Sequence, residues 1–206
     1  MGLFFSSIIS QWRAKGIFIR QTGFTLIELS VTLVTIAILA GIAVPGVMSW
    51  LPNYRLKAAA RDLYSNLQKA KLMAVKTNSE HAVFFNTAAG SYQILSVGND
   101  KIWGTADDIA EKLPIRLASY GSGVRYGHGN ATKNATQGAT TPFAGNDVSY
   151  DNNTVVFSPR GMLKGVGFTG YVYFSNNAGS SYAVGTPTTV GYVVLRKWFA
   201  PSANWD

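Results

Sequence analysis

Residues 23–50 read GFTLIELSVTLVTIAILAGIAVPGVMSW, and the rest of the chain is organised around this stretch. No charged residue occurs between Glu28 and Arg55. A helix rises about 1.5 Å per residue, so roughly 20 apolar residues cross the ~30 Å hydrocarbon core of a bilayer. The stretch is therefore long enough to span a membrane, and we predict a membrane helix over residues 24–53.

Glu28 is the single charge within this stretch. An unpaired carboxylate in lipid is unfavourable by roughly 3 kcal/mol at the bilayer centre and by less near an interface. One interpretation places Glu28 in the headgroup zone, where the free N–H groups of a helix N-terminus stabilise a negative charge. The other pairs it with a cation, which a cut after Gly23 would supply by freeing the amine of Phe24.

The hexapeptide 23–28 resembles the processing site of type IV pilins and of the pseudopilins of type II secretion. The resemblance implies that residues 1–23 are a leader, that a prepilin peptidase cuts after Gly23, and that the new N-terminal Phe24 is methylated. It also implies that Glu28 neutralises the N-terminus of a neighbouring subunit in a helical filament. Pro45 matches the family as well, and a proline inside a helix removes one backbone hydrogen bond and permits a kink or local melting. A plain membrane anchor is the alternative interpretation.

The composition describes a mildly basic exported protein. The chain has 206 residues, a net charge of +8 and no cysteine. Loss of the leader would leave 15 basic against 10 acidic residues, a net charge of +5. Without disulfides or thiol chemistry, the part outside the membrane must be stabilised by packing or by a metal. Roughly 150 residues follow the apolar stretch, which predicts one further domain over residues 54–206.

A second helical segment follows the apolar stretch. Apolar residues recur at spacings of three and four along residues 54–78, which predicts an amphipathic helix continuous with the first. The stripe comprises Leu56, Ala60, Leu63, Leu67, Ala70 and Ala74. The charged residues of this segment, Asp62 and Lys71 among them, lie mostly off the stripe and are expected to be solvated.

The remaining residues show the short apolar runs and turn residues that are typical of β-structure. Residues 82–86 and 91–97 predict a β-hairpin. Further strands are expected at residues 171–175, 181–184 and 190–198. Residues 120–153, rich in Gly, Asn, Ser and Thr, predict a long surface loop or weak strands that bury little. The expected fold class is α+β, with a long N-terminal helix whose second half packs on an antiparallel sheet.

Two parts of this region resemble the GspH/FimT type of minor pseudopilin. Residues 67–85 are similar to the helix end and first strand of that domain, and residues 154–161 to a later strand and turn. The resemblance implies a pilin-like fold and a structural subunit whose partners are other pilins or pseudopilins, the prepilin peptidase and an inner-membrane assembly platform. It also implies a single-pass protein of the bacterial inner membrane, with its C-terminal domain in the periplasm before it enters the filament.

Residues 98–109 form the one plausible metal site in the sequence. Calcium prefers about six to eight oxygen ligands on a flexible loop, and Asp100, Asp107 and Asp108 bracket a glycine turn that could supply them. The spacing is not that of an EF-hand, but the acidic pair before Ile109 resembles the calcium loop of major pseudopilins. Calcium is therefore a candidate cofactor, and a solvated acidic loop is the alternative.

The sequence offers no catalytic constellation. The two histidines, His81 and His128, have no second ligand at useful spacing and are expected at the surface. No nucleotide-binding fingerprint is present, and no nucleophile, base and orienting group can be named together. We therefore predict that the protein is not an enzyme.

Nucleic-acid binding is the main alternative to a purely structural role. Some relatives of the FimT type act in DNA uptake, and Arg196 and Lys197, next to Trp198 and Phe199, could contact phosphates and bases. The ordinary alternative is a last strand with alternating faces. Three functions therefore stay open: a minor pseudopilin of a secretion machine, a major or minor pilin of a type IV pilus, and a DNA-binding minor pilin.

Overall fold

The computed structural model describes residues 23–136, 142–143, 145–165 and 169–206. Within these ranges the chain forms one long α-helix, α1 (Leu26–Thr77), which passes through Pro45 and Pro52 and is followed by β-strands. The predicted leader comprises residues 1–23, and all of it except Gly23 lies outside the described residues. The chain divides into two compact units between Val44 and Pro45, and each is considered by itself.

The described part of the first unit is an apolar helix that no other part of the described chain buries. Every residue from Gly23 to Val44 is exposed, and large side chains such as Phe24 and Ile42 are 84% and 74% accessible. By length and composition α1 is able to cross a membrane. This agrees with the membrane helix predicted from the absence of charge.

The second unit contains the strands, which form two sheets rather than the single sheet that we expected. The strands are β1 (His81–Asn86), β2 (Ser91–Ser96), β3 (Ile109–Ala110), β4 (Ile115–Arg116), β5 (Arg125–Tyr126), β6 (Thr154–Phe157), β7 (Leu163–Lys164), β8 (Gly170–Ser175), β9 (Ser181–Thr186), β10 (Val194–Phe199) and β11 (Asn204–Trp205). The first sheet has the order β3-β2-β1-β6-β7, with β4 also paired to β2, and the second has the order β11-β10-β9-β8-β5. All pairings within them are antiparallel.

The amphipathic half of α1 packs on both sheets. The predicted stripe is confirmed, because all six of its residues are fully buried. They share one hydrophobic core with residues of both sheets, for example Phe85 of β1 and Phe174 of β8. The α+β fold with a long N-terminal helix on antiparallel strands is therefore confirmed, and the helix joins two sheets into one core.

The second sheet is buried on both faces. Successive side chains of a strand point to opposite faces, so Val172 and Phe174 enter the core beneath α1 while Tyr171 and Tyr173 face away from it. On that outer face they form a second cluster with Trp198 and other residues. All six residues of β8 are consequently buried.

The expectation that residues 120–153 bury little is wrong. Val148 forms a β-bridge with Val172 and is buried, as are Val124 and Tyr150. Ala131 and Ala135 contribute to the outer cluster. The segment buries these residues because both faces of the second sheet are apolar and need cover.

His81 is likewise not at the surface, since it is 1% exposed. It begins β1, which lies between β2 and β6, so this position is enclosed by strands on both sides. One ring nitrogen, Nδ1, lies 3.3 Å from the carbonyl oxygen of Ser79. The other, Nε2, lies 3.5 Å from a carboxylate oxygen of Glu111.

Two charged residues of α1 are held by the sheets instead of being fully solvated. Asp62 is half-buried, and its Oδ2 accepts a hydrogen bond from the Tyr92 hydroxyl at 2.8 Å and another from the Tyr120 hydroxyl. Lys71 donates from Nζ to the carbonyl oxygens of Val190 and Gly191, at 3.3 and 3.0 Å. These bonds fix the rotation and the height of the helix on the strands.

Candidate functional site

The candidate processing site lies immediately before the start of α1. Gly23, Phe24 and Thr25 are non-helical, and the Thr25 hydroxyl accepts a hydrogen bond from the backbone N–H of Glu28 at 3.2 Å. The Thr25 carbonyl accepts the first helical bond, from the N–H of Leu29 at 3.1 Å. Thr25 is therefore the N-cap, and the motif that resembles a cleavage site is also a helix-capping sequence.

The capping role of Thr25 was not predicted from the sequence, although its signal is present there. A threonine followed three residues later by a glutamate, before an apolar run, is the signature of a capping box. The consequence is that the residues around the predicted cut lie outside the helix, which begins at Leu26. A cut after Gly23 would leave Phe24 and Thr25 as a short non-helical end.

Phe24 and Glu28, the predicted assembly residues, both face solvent. Phe24 is 84% exposed, and Glu28 lies in the exposed first turn of the helix. Among the described residues Glu28 takes part in none of the ion pairs within 4.0 Å. Its carboxylate is therefore accessible to a group from another molecule.

Polar side chains of the apolar helix are satisfied within it. The hydroxyls of Ser30, Thr32, Thr35 and Ser49 donate to backbone carbonyls three or four residues earlier, at 2.8 to 2.9 Å. A hydroxyl bonded in this way adds little polarity to the helix surface. The segment is thus suited to lipid or to the apolar core of a helical assembly.

Pro45 lies inside α1, at the boundary between the two compact units. It has no N–H group and so cannot donate the helical hydrogen bond at that position. Gly41 and Gly46 flank it, and a Cβ built on either residue would meet nothing within 4 Å. Small residues with open space around them allow a second helix to approach closely.

The acidic loop wraps around its own carboxylates. Asp108 accepts hydrogen bonds from the N–H of Gly98 at 3.3 Å and of Gly104 at 2.7 Å. Asp107 lies so close to Gly98 that a Cβ on this glycine would clash with the Asp107 carboxylate. A hydrogen bond from the Thr105 hydroxyl is the main reason that the pKa of Asp107 is lowered.

These contacts bear on the predicted calcium site. The backbone N–H groups of Asp100 and Ile102 donate to Asp107 and Asp100, respectively, so N–H groups already point at these side chains. Within the described residues no group of three or more His, Cys, Asp or Glu side chains is placed to hold a metal. The side chains of Asp100, Asp107 and Asp108 alone therefore do not form a cation cage. Calcium here stays a prediction that would need backbone carbonyl ligands.

The loop is also attached to the first sheet by its tryptophan. Trp103 donates from Nε1 to a carboxylate oxygen of Glu80 at 3.1 Å, and Lys164 of β7 pairs with the other oxygen of Glu80. Charge-assisted bonds of this kind are stronger than bonds between neutral groups. The loop is thus attached to the first sheet by contacts that need no metal ion.

Arg196 and Lys197, the candidate DNA contacts, are not brought together. They are neighbours in β10, and successive side chains of a strand point to opposite faces. Lys197 is exposed, with its Nζ 4.8 Å from the centre of the Phe199 ring. Arg196 is half-buried near Tyr171, whose pKa it lowers against the larger, raising effect of burial. The two cations do not form one patch.

The chain thus has a long N-terminal helix whose second half packs on antiparallel strands, and residues 59–188 match the family model of the type II transport protein GspH. The chain belongs to the GspH family. The match covers more than half of the chain and begins in the amphipathic part of α1, after the apolar stretch. The resemblance to GspH-type pseudopilins that the sequence suggested is confirmed.

Two solved structures of the minor pseudopilin EpsH from the type 2 secretion system of Vibrio cholerae are similar to this GspH-family chain. One has a TM-score of 0.44 at 13% identity, and the aligned region covers 71% of this chain and 98% of the EpsH chain. The other has a TM-score of 0.43 at 12% identity and covers 68% and 92%. No curated protein matches the chain significantly. The family model describes a type II transport protein, which agrees with the expectation of a non-enzymatic role.

Proposed function

We propose that this GspH-family chain is a minor pseudopilin of type II secretion. In this proposal a prepilin peptidase removes residues 1–23, residues 24–53 anchor the subunit in the inner membrane, and residues 54–206 form its periplasmic domain. The subunit then leaves the membrane and enters a helical filament with other pseudopilins. Its work is assembly.

The uncovered apolar helix carries this proposal. Residues 23–50 contain one charge, are exposed throughout, and keep their hydroxyls bonded to their own backbone. Exposure of so much apolar surface to water is unfavourable, and burial of each Å² would lower the free energy by about 25 cal/mol. Lipid and a bundle of neighbouring helices both provide that burial, so the same segment serves before and after assembly.

Glu28 sets the register in this mechanism. A cut after Gly23 creates an amine on Phe24, and a neighbour's Glu28 is an exposed carboxylate able to meet it. Inside a dry bundle, a subunit in the wrong register would leave this carboxylate without a partner, which is strongly unfavourable. The charge pair thus selects one axial position.

Processing is tested by replacing the residue before the predicted cut. We expect Gly23→Leu to accumulate as the longer precursor, while Gly46→Leu, a matched change inside the helix, is cut normally. Mass spectrometry of the purified chain should find Phe24 at the N-terminus, methylated, in the wild type. Wild-type processing of Gly23→Leu would refute the cleavage site.

Incorporation is tested separately at Glu28. We expect Glu28→Ala to be inserted in the membrane and processed, yet absent from pseudopili isolated through another tagged pseudopilin. Ser30→Ala, which removes a hydroxyl two residues further along the same helix, should be incorporated as the wild type is. Normal incorporation of Glu28→Ala would remove the register mechanism but not the anchor.

A further inference from the structure

A cleft of about 320 Å³ lies in the second unit beside the end of the apolar stretch. Trp50, Tyr54 and Lys57 line it from α1, and Tyr182 and Lys197 line it from β9 and β10. The three helix residues recur at spacings of four and three, so they share one helix face. The processing and register steps proposed above do not involve these side chains.

Two of them form an exposed aromatic pair. The ring centres of Trp50 and Tyr54 are 5.0 Å apart, and the residues are 59% and 55% exposed. Such large apolar rings with polar tips are enriched where a helix crosses from hydrocarbon into headgroups. The pair is therefore suited to a membrane boundary.

The cleft also carries two cations, Lys57 on the helix side and Lys197 on the strand side. Both are exposed, and among the described residues neither belongs to an ion pair within 4.0 Å. Asp206 lies across from Lys197, and their backbones exchange hydrogen bonds of 2.7 and 3.0 Å. Even so, its carboxylate makes no ion pair with Lys197, so two ammonium groups remain available to an anion.

The position along the chain identifies the anion. A helical segment from Glu28 to Trp50 would rise about 33 Å, close to the thickness of a hydrocarbon core. If Glu28 lies at one boundary, Trp50 lies at the other, and Lys57 follows it by two turns at headgroup depth. This step rests on the membrane anchoring in the proposed function.

We propose that this cleft binds the phosphate headgroup of an anionic phospholipid. Lys57 and Lys197 contact the phosphate, while Trp50 and Tyr54 lie against the glycerol and the first methylenes of the chains. The lipid holds the strand end of β10 at the membrane surface until the subunit is extracted. Nucleic acid fits the cleft less well, because Arg196, which would extend the basic surface, lies on the opposite face of β10.

The test uses the full-length chain purified in detergent with equal amounts of phosphatidylglycerol and phosphatidylcholine, and native mass spectrometry of the lipids that it retains. The wild type should retain phosphatidylglycerol preferentially. A basic side chain at an anionic surface contributes about fivefold to association, so Lys57→Gln with Lys197→Gln should reduce the preference about 30-fold. The matched control, Lys69→Gln with Lys76→Gln, removes two exposed charges from the same helix away from the cleft and should retain it.

Each other result overturns the proposal. These results are an absent preference in the wild type, an equal loss in the control, or displacement of the lipid by inorganic phosphate. A single-stranded oligonucleotide that displaces the lipid would assign the cleft to nucleic acid. Extraction of the wild type from membranes by alkaline carbonate would refute the anchoring itself, whereas a failed lipid preference in a carbonate-resistant protein refutes only this inference.

Discussion

Asp62 should be the most sensitive charged position on the amphipathic half of α1. It is half-buried, and its Oδ2 accepts hydrogen bonds from Tyr92 at 2.8 Å, from the Asn66 amide at 3.0 Å and from Tyr120. This one oxygen thus joins α1 to β2 and to the 3-10 helix Leu117–Tyr120. The substitution Asp62→Ala removes it without adding bulk.

The three bonds are not of equal value. Asn66 would keep two acceptors, the backbone carbonyl of residue 62 at 2.9 Å and the Tyr92 hydroxyl at 3.0 Å. Tyr120 is partly exposed, so water can replace its lost acceptor. Tyr92 is 1% exposed and would keep no acceptor for its proton. A hydrogen bond to a charged group contributes about 1.5–3 kcal/mol, so we expect a loss of about 2–3 kcal/mol, mostly from Tyr92.

Thermal unfolding of the full chain in detergent, followed by near-ultraviolet circular dichroism, measures this loss. At about 2–4 °C per kcal/mol for a domain of this size, Asp62→Ala should lower Tm by about 5–10 °C. Asp151 is exposed, and among the described residues its carboxylate belongs to no ion pair within 4.0 Å. Asp151→Ala is therefore the control and should change stability by about 0.5 kcal/mol or less. Tyr92→Phe completes a double-mutant cycle with Asp62→Ala.

The cycle decides between a specific bond and a general effect of charge. If Tyr92 donates to Asp62, the second substitution should have little further effect once the first is made, and the coupling should be about 1–2 kcal/mol. Additive losses in the double variant would refute the reasoning. A Tm of Asp62→Ala equal to that of the Asp151→Ala control would also refute it.

Two further predictions concern pH and calcium. The free energy of unfolding should fall as pH rises above about 10. Burial raises the pKa of Tyr173 to about 12 and also raises that of Tyr92, relative to 10.0 in the unfolded chain. The stability that these neutral tyrosines contribute is therefore complete below pH 10 and is lost as pH rises through their folded-state pKa values. Melting curves at increasing alkaline pH check this, and an unchanged Tm up to pH 12 would contradict it. If the acidic loop binds calcium, calcium at about 100 times its Kd should add about 2.7 kcal/mol relative to chelator, and Asp107→Asn should abolish this gain while Asp151→Asn does not. Identical melting in calcium and in chelator would remove calcium from this loop.

Local pattern was sufficient for the long helix and the longest strands of this protein. The spacing of Leu56, Leu63 and Leu67 predicted the buried face of α1, because helical periodicity is a property of neighbouring residues. The hairpin of β1 and β2 and the strands β8, β9 and β10 were also placed within a few residues, since apolar runs between turn residues are equally local. The apolar stretch and the motif that ends in Glu28 indicated the family without any tertiary information.

The sequence by itself therefore determined the helix, the five six-residue strands and the family to which the chain belongs. Tertiary structure alone decided that the strands divide into two sheets, that His81 is enclosed between strands, and that Asp62 binds two tyrosines from distant segments. It also decided that Lys197 shares a cleft with Lys57 while its neighbour Arg196 lies on the other face. The reason is physical: periodicity shows which side of an element is apolar, but the partner that covers a side or satisfies a polar atom is set by strand pairing between residues far apart in the chain.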